Sequence, residues 1–154
     1  MKLSTACEDD AGAIADIWNV YIRDTAITFT SQEKTALDIA TLIAERQGDG
    51  HPFVVARATG GVLGFASFAP FRGGPGYART MEHTVMLAPA ARGQGAGRAL
   101  MDALTDSARA AGHRSLIGGL SSDNPDAIAF HAALGFVEVG RIPDAGWKFG
   151  QWWD

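Results

Sequence analysis

Val85-Met86-Leu87-Ala88-Pro89-Ala90-Ala91-Arg92-Gly93-Gln94-Gly95-Ala96-Gly97-Arg98 joins a strand to a helix through glycine, and that junction decides the fold. The apolar residues before Pro89 read as the end of a strand candidate, Arg79 to Ala88. Beyond the glycines, Leu100, Met101, Leu104, Ala108 and Ala111 mark one face of a helix that Gly112 stops. A helix that starts in glycine exposes backbone N–H groups and the positive end of its dipole, which is an anion site. The glycines let a phosphate approach the backbone closely. Arg92 and Arg98 can add charge-assisted hydrogen bonds.

Two familiar glycine loops do not fit. A P-loop needs Gly-Lys-Ser/Thr at the helix start, and here Gly97 is followed by Arg98-Ala99. The dinucleotide pattern GxGxxG/A ends on Arg98 if it starts at Gly93, and on Leu100 if it starts at Gly95.

Downstream, Ser115 to Leu120 is a strand candidate, and Asn124-Pro125 starts a helix, with Asn as cap and Pro at the first helical position. Gly135 stops that helix, and Phe136 to Ile142 reads as one more strand. Upstream, Phe53 to Ala58 and Val62 to Ala69 are strands joined by the hairpin signal Thr59-Gly60-Gly61. Pro70 to Tyr77 is a loop. Leu3 to Ala6 is a short first strand, followed by the helix-starting acids Glu8, Asp9 and Asp10. Ile14, Ile17, Trp18 and Tyr21 give a helix, and Thr35 with Asp38 resembles a capping box ahead of a second. The order β-α-α-β-β-β-α-β-α-β predicts an α/β chain with a mixed sheet and helices on both faces.

The 154 residues suffice for one domain with one core. Apolar residues make up 47% and charged residues 19%. A net charge of -4 gives no general attraction to nucleic acid or anionic membrane. The single cysteine, Cys7, makes no intrachain disulfide and is expected to be a small buried or half-buried residue. Nothing has metal-ligand spacing. No apolar run approaches a membrane span, and the N-terminus lacks a basic region followed by an apolar stretch, so a soluble cytoplasmic protein is expected.

Arg92, Gly95 and Gly97 form R-x-x-G-x-G, which resembles the acetyl-CoA motif of the GNAT family of N-acetyltransferases. Asn124 to Phe136 resembles the family's second signature, N-x-x-A-x-x-x-Y-x-x-x-G-F, with His131 in place of Tyr. The phosphinothricin and methionine sulfoximine or sulfone branch carries that His. It also resembles this chain in Glu82, in the pair Phe71-Arg72 and in the tail Lys148-Phe149-Gly150-Gln151-Trp152. Departures are Ala78, where others have Arg, and a chain that stops at Asp154, where the branch continues into a final strand.

The resemblance implies a GNAT fold over 1–154, with mostly antiparallel N-terminal strands and a parallel central pair, lacking that final strand. It implies a homodimer, acetyl-CoA as co-substrate, no metal, and a small-molecule amine as acceptor. Val85, Met86 and Leu87 would present backbone groups to the thioester, and Arg92, Gly93, Gln94, Gly95, Ala96, Gly97 and Arg98 would hold the pyrophosphate. Asn124 would touch the pantetheine arm. Phe71, Arg72, Tyr77 and Arg79 would line the acceptor site.

Glu82 stands on a strand that otherwise reads Val-Met-Leu and is a candidate general base for the amine, or else an ion-pair partner of Arg79 or Arg72. His131 is a candidate proton donor to the leaving thiolate or substrate contact, or else a satisfied helix histidine. His83 alternates to the other strand face and is expected to be structural. Between Pro70 and Met81 there is no acid but there are Arg72 and Arg79, which favours an acceptor bearing a carboxylate or phosphinate. The other readings are a polyamine, aminoglycoside or protein N-terminus as acceptor, or a non-catalytic acyl-CoA-binding domain.

Overall fold

The computed structural model describes residues 1–154. Its elements are β1 (Lys2–Thr5), α1 (Ala11–Asp24), α2 (Ala36–Gly48), β2 (Phe53–Ala58), β3 (Gly61–Pro70), β4 (Thr80–Leu87), α3 (Ala96–Ala110), β5 (Ser115–Gly118), α4 (Pro125–Ala133), β6 (Gly146–Lys148) and β7 (Gln151–Trp153). Two compact units result: residues 1–17 with 34–118, and residues 18–33 with 119–154.

The first unit is built on a five-stranded sheet ordered β1-β2-β3-β4-β5. The first three pairings are antiparallel and β4 pairs β5 in parallel, which is the expected mixed sheet. Every residue from Gly64 to Phe68 on β3 is buried, so both faces of this central strand are covered. α3 packs across β2, β3 and β4, and α2 packs against β2 and β3. Leu100, Met101 and Leu104 on α3 are at most 1% exposed, as the helical spacing predicts. The Thr35 hydroxyl accepts from the Asp38 N–H at 3.1 Å, and the Asp38 carboxylate accepts from the Thr35 N–H at 2.7 Å, which completes the capping box of α2.

The acidic run after β1 forms a single 3-10 turn leading into α1. Asp10 is buried beneath it, paired to the Arg57 guanidinium of β2 through two nitrogens, the longer contact being 2.6 Å. Burial alone would raise the Asp10 pKa, but the Arg57 hydrogen bonds and those from Cys7 outweigh it and hold the carboxyl below its ordinary value. Cys7 is exposed, contrary to expectation. It caps this turn, and the buried position at the strand end falls to Ala6 instead.

The second unit contains the loop after α1, helix α4 and the tail. Lys148 is only 5% exposed. Its ammonium donates to the carbonyls of Ile22, Thr25 and Thr28 at 2.6, 2.6 and 2.7 Å, tying the tail to the last turn of α1 and the loop beyond it. Burial lowers its pKa from the ordinary lysine value. The three carbonyl acceptors work in the other direction, by favouring the charged form. Gly146 packs so closely on Phe29 that a Cβ there would lie 2.1 Å from the ring.

One expected element is absent: residues 136–142 do not form a strand, and the last regular pairing is instead the short hairpin β6–β7. A strand needs a partner for its N–H and C=O groups. The alternating apolar residues here have not found a face to bury, since Val137, Val139 and Ile142 are 79%, 94% and 74% exposed.

Candidate active site

The strand that enters the glycine turn has a partner on one side only over its second half. β4 pairs β3 along its whole length, from Pro70↔Met81 to Gly64↔Leu87. Its pairing with β5 runs only from Thr80↔Ser115 to His83↔Gly118. The Ala88 N–H donates to the Leu63 carbonyl at 2.8 Å. Antiparallel alternation then makes Phe65–Met86 the next hydrogen-bonded pair, so the backbone groups of Val85 and Leu87 turn toward the β5 side. Val85, Met86 and Leu87 were all expected to meet a thioester; the register leaves that to Val85 and Leu87, because the Met86 backbone groups face Phe65 on β3.

After a 3-10 turn at Pro89–Ala91, the chain passes through Gly93 at φ 75° and Gly95 at φ 80°. Both angles lie in the left-handed region that glycine adopts without strain. Gly95 is the N-cap of α3, so the first amides of the helix open onto this turn. Ala96 and Gly97 are buried beneath it, while Arg92 and Arg98 are exposed around it. The Gln94 side chain closes the turn by donating to the Ala90 carbonyl at 2.8 Å. This geometry suits a pyrophosphate, which needs amide donors, positive charge and no Cβ in its way.

Glu82 lies opposite Ala69 on β3 and Ile117 on β5. A residue flanked by strands on both sides and still exposed marks an uncovered part of the sheet face. Its neighbours Met81 and His83 point the other way and are 1% and 7% exposed. No ion pair joins Glu82 to Arg72 or Arg79, so the carboxylate is not committed to a structural bridge. His83 is opposite Phe68, whose ring meets His51 and His113 at centroid distances of 5.7 and 5.4 Å, consistent with a packing role. Burial is the main cause that lowers the His51 pKa.

The loop after β3 holds the acceptor candidates. The Arg72 guanidinium sits 5.9 Å from the centroids of both the Phe71 and Tyr77 rings. This sandwich orients a cation at the surface without neutralising it. Arg79 is exposed, and its carbonyl accepts from the N–H groups of Arg114 and Ser115 at the start of β5.

In the second unit, the Asn124 side chain accepts from the Ala127 N–H at 3.2 Å and caps α4. His131 is 4% exposed. Its Nδ1 lies 2.7 Å from the Ala127 carbonyl, and a carbonyl only accepts, so Nδ1 carries a proton. Phe130 and Phe136 meet its ring edge to face at 5.4 and 5.1 Å. Any proton exchange by His131 therefore passes through Nε2. A separate hollow of about 360 Å³ lies among Ile22, Phe29, Trp147, Lys148 and Phe149, and none of the expected site residues lines it.

Residues 14–136 match the sequence profile described as the acetyltransferase (GNAT) family. The chain belongs to the GNAT family. It is 35% identical to the L-amino acid N-acyltransferase MnaT of Escherichia coli over all of this chain and 90% of the relative. It is 34% identical to the L-methionine sulfoximine/L-methionine sulfone acetyltransferase of Salmonella typhimurium, again over all of this chain and 90% of that one. The crystal structure of a GNAT phosphinothricin acetyltransferase from Sinorhizobium meliloti in complex with acetyl-CoA superposes with a TM-score of 0.93 at 32% identity, covering 98% of this chain and 82% of that one. A GNAT N-acetyltransferase is thus the class to which the β4 edge and the glycine turn belong.

Two structural features are not legible in the sequence. Gly64 faces Leu87 across the strand pair, and its only signal is a lone glycine inside a strand pattern. Lys148 was visible only as part of a tail motif; that its ammonium is buried among carbonyls depends on contacts more than a hundred residues apart in the chain.

Proposed function

We propose that this protein transfers the acetyl group of acetyl-CoA to the amine of a small anionic amino-acid analogue such as methionine sulfone, methionine sulfoximine or phosphinothricin, by direct transfer in a ternary complex. The observation that carries the proposal is β4 itself. The strand loses its β5 partner after His83, runs on to Leu87, and delivers the chain into the left-handed glycine turn at the start of α3.

The backbone groups of Val85 and Leu87, which face the β5 side of β4, are assigned to the acyl end, and an oriented donor there polarises the thioester carbonyl, worth about 2.7–4 kcal/mol; those of Met86 face Phe65 on β3 and take no part. The turn Arg92-Gly93-Gln94-Gly95-Ala96-Gly97-Arg98 holds the pyrophosphate. Glu82 takes the proton from the substrate ammonium, directly or through one water, and so generates the neutral amine. Arg72, supported by Phe71 and Tyr77, and Arg79 bind the acceptor's anionic group. Asn124 caps α4 and is assigned to the pantetheine arm. His131 is assigned to a proton relay through Nε2, which takes the second proton of the acylated amine and passes it to the leaving thiolate. No metal takes part.

The protein is proposed to act in the cytoplasm as a homodimer, without nucleic-acid or membrane partners. No helix is long and apolar enough to cross a membrane. Trp147, Phe149 and Trp152 are 55%, 59% and 57% exposed on the tail, and such aromatics are typical of subunit contacts.

The test is a thiol-release assay with acetyl-CoA against methionine sulfone, methionine sulfoximine, phosphinothricin, spermidine and kanamycin. Release with one of the first three is expected. Release only with spermidine or kanamycin would move the acceptor to a polycation, and acetyl-CoA binding without release would make the chain a binding domain.

A further inference from the structure

Gly64 stands opposite Leu87 in a non-hydrogen-bonded pair, where β3 and β4 run close together. A Cβ built on it would lie 2.5 Å from the Met86 carbonyl oxygen, 2.5 Å from Leu87 Cδ2 and 3.1 Å from Leu87 Cα. Two of these three contacts are backbone atoms, so a rotamer change cannot relieve them. Gly64 is not in the left-handed region, so backbone freedom is not the reason for glycine here. Space is the reason.

The surroundings determine what would yield. On the β2 side, Ala56 pairs Gly64 and Arg57 pairs Val62, so Leu63 is an extra residue bulged into β3. β3 is buried at Gly64, Phe65 and Ala66, and Ala56 is fully buried beside it. A close-packed strand between two neighbours resists displacement. β4 beyond His83 has a paired strand on the β3 side alone. A side chain at position 64 would therefore push Met86 and Leu87 away from β3, toward the β5 side.

We infer that Gly64 is a positioning residue for acetyl-CoA: by lacking a side chain it lets the Leu87 backbone lie against β3 and keeps open the space on the β5 side of β4. The inference rests on the proposal that the acyl end of acetyl-CoA lies along Val85 to Leu87. It assigns to a residue two strands from β5 a control over co-substrate affinity that makes no contact with the acceptor.

The test is steady-state kinetics on Gly64→Ala with acetyl-CoA and methionine sulfone varied in turn, with direct titration of CoA as a second readout. The KM for acetyl-CoA is expected to rise about tenfold or more, with CoA affinity falling in parallel and the KM for the amine within about twofold of wild type. Val55→Ala, a core change on β2, which β3 separates from β4, is the control for general destabilisation. It is expected to lower Tm and leave the acetyl-CoA KM unchanged. A folded Gly64→Ala with wild-type acetyl-CoA KM and CoA affinity overturns the inference, as does an equal rise in Val55→Ala.

If Gly64→Ala is too unstable to assay, Gly64→Ala/Leu87→Ala is compared with Leu87→Ala alone. The contact with the Met86 carbonyl persists there, so a raised acetyl-CoA KM in the double variant supports the inference and parity overturns it. If wild type itself neither binds CoA nor releases thiol, the proposed function falls and this inference with it. Normal wild-type turnover with an unaffected Gly64→Ala removes only the role of Gly64.

Discussion

The segment from Thr80 to Ala110 and the segment from Phe136 to Asp154 both follow a glycine-punctuated pattern of apolar residues, but they fold differently. In the first, β4 has a complete partner in β3, Gly93 and Gly95 occupy left-handed positions, and the helix buries one face. In the second, residues 136–142 stay irregular with Val137 and Val139 in solvent, and order returns only at the hairpin anchored by Lys148. Turns and caps are decided by a few neighbouring residues, whereas a strand is decided by what lies beside it. The glycine turn that ends β4 is of the first kind, and residues 136–142 are of the second.

The largest expected effect tests the first segment. Glu82→Gln keeps the shape of the side chain and removes the base. Its kcat/KM for the amine should fall about a hundredfold or more, because general base catalysis typically contributes about 10²–10⁴-fold. The loss should shrink as pH rises and the free amine becomes abundant. An unchanged pH–rate profile would remove Glu82 from the mechanism and leave it as an exposed strand residue.

A smaller effect is expected in the tail. Lys148→Met should cost about 3 kcal/mol of stability, since it leaves buried carbonyls without a donor. Chemical denaturation followed by tryptophan fluorescence would measure it, because Trp147, Trp152 and Trp153 flank the site. A loss below about 0.5 kcal/mol would mean that the hairpin holds without the ammonium. Val139→Asp marks the lower bound. With Val139 94% exposed, the change should stay within about 0.5 kcal/mol. A loss above about 1 kcal/mol would show that residues 136–142 bury apolar surface in solution, and the contrast between the two segments would then disappear.

The same contrast explains what the sequence made legible. The Thr35–Asp38 box, the Asn124 cap and the stops at Gly112 and Gly135 were readable because each is a short-range hydrogen-bond or backbone requirement. The positions of the candidates Glu82 and Arg92 to Arg98 were readable, as an exposed residue on β4 and a turn between strand and helix, because alternation and the strand–glycine–helix order are local patterns. Three things were not. Phe136 to Ile142 has the alternation of a strand, but alternation does not supply a partner. The exposure of Cys7 depends on which residue of the β1 end turns inward. The need for glycine at position 64 arises from a bulge in β3 and the approach of β4, whose one local sign is the lone glycine itself.

The central claim is that the glycine turn at the start of α3 binds acetyl-CoA, and calorimetric titration of acetyl-CoA into wild type and Gly95→Val tests it most directly. Gly95 has φ 80°, where a β-branched residue is strained and its side chain would crowd the helix amides. The expected result is saturable binding by wild type and affinity weaker by about tenfold or more in a Gly95→Val variant that still unfolds cooperatively. Equal affinity in the two proteins would contradict the assignment of the pyrophosphate to this turn.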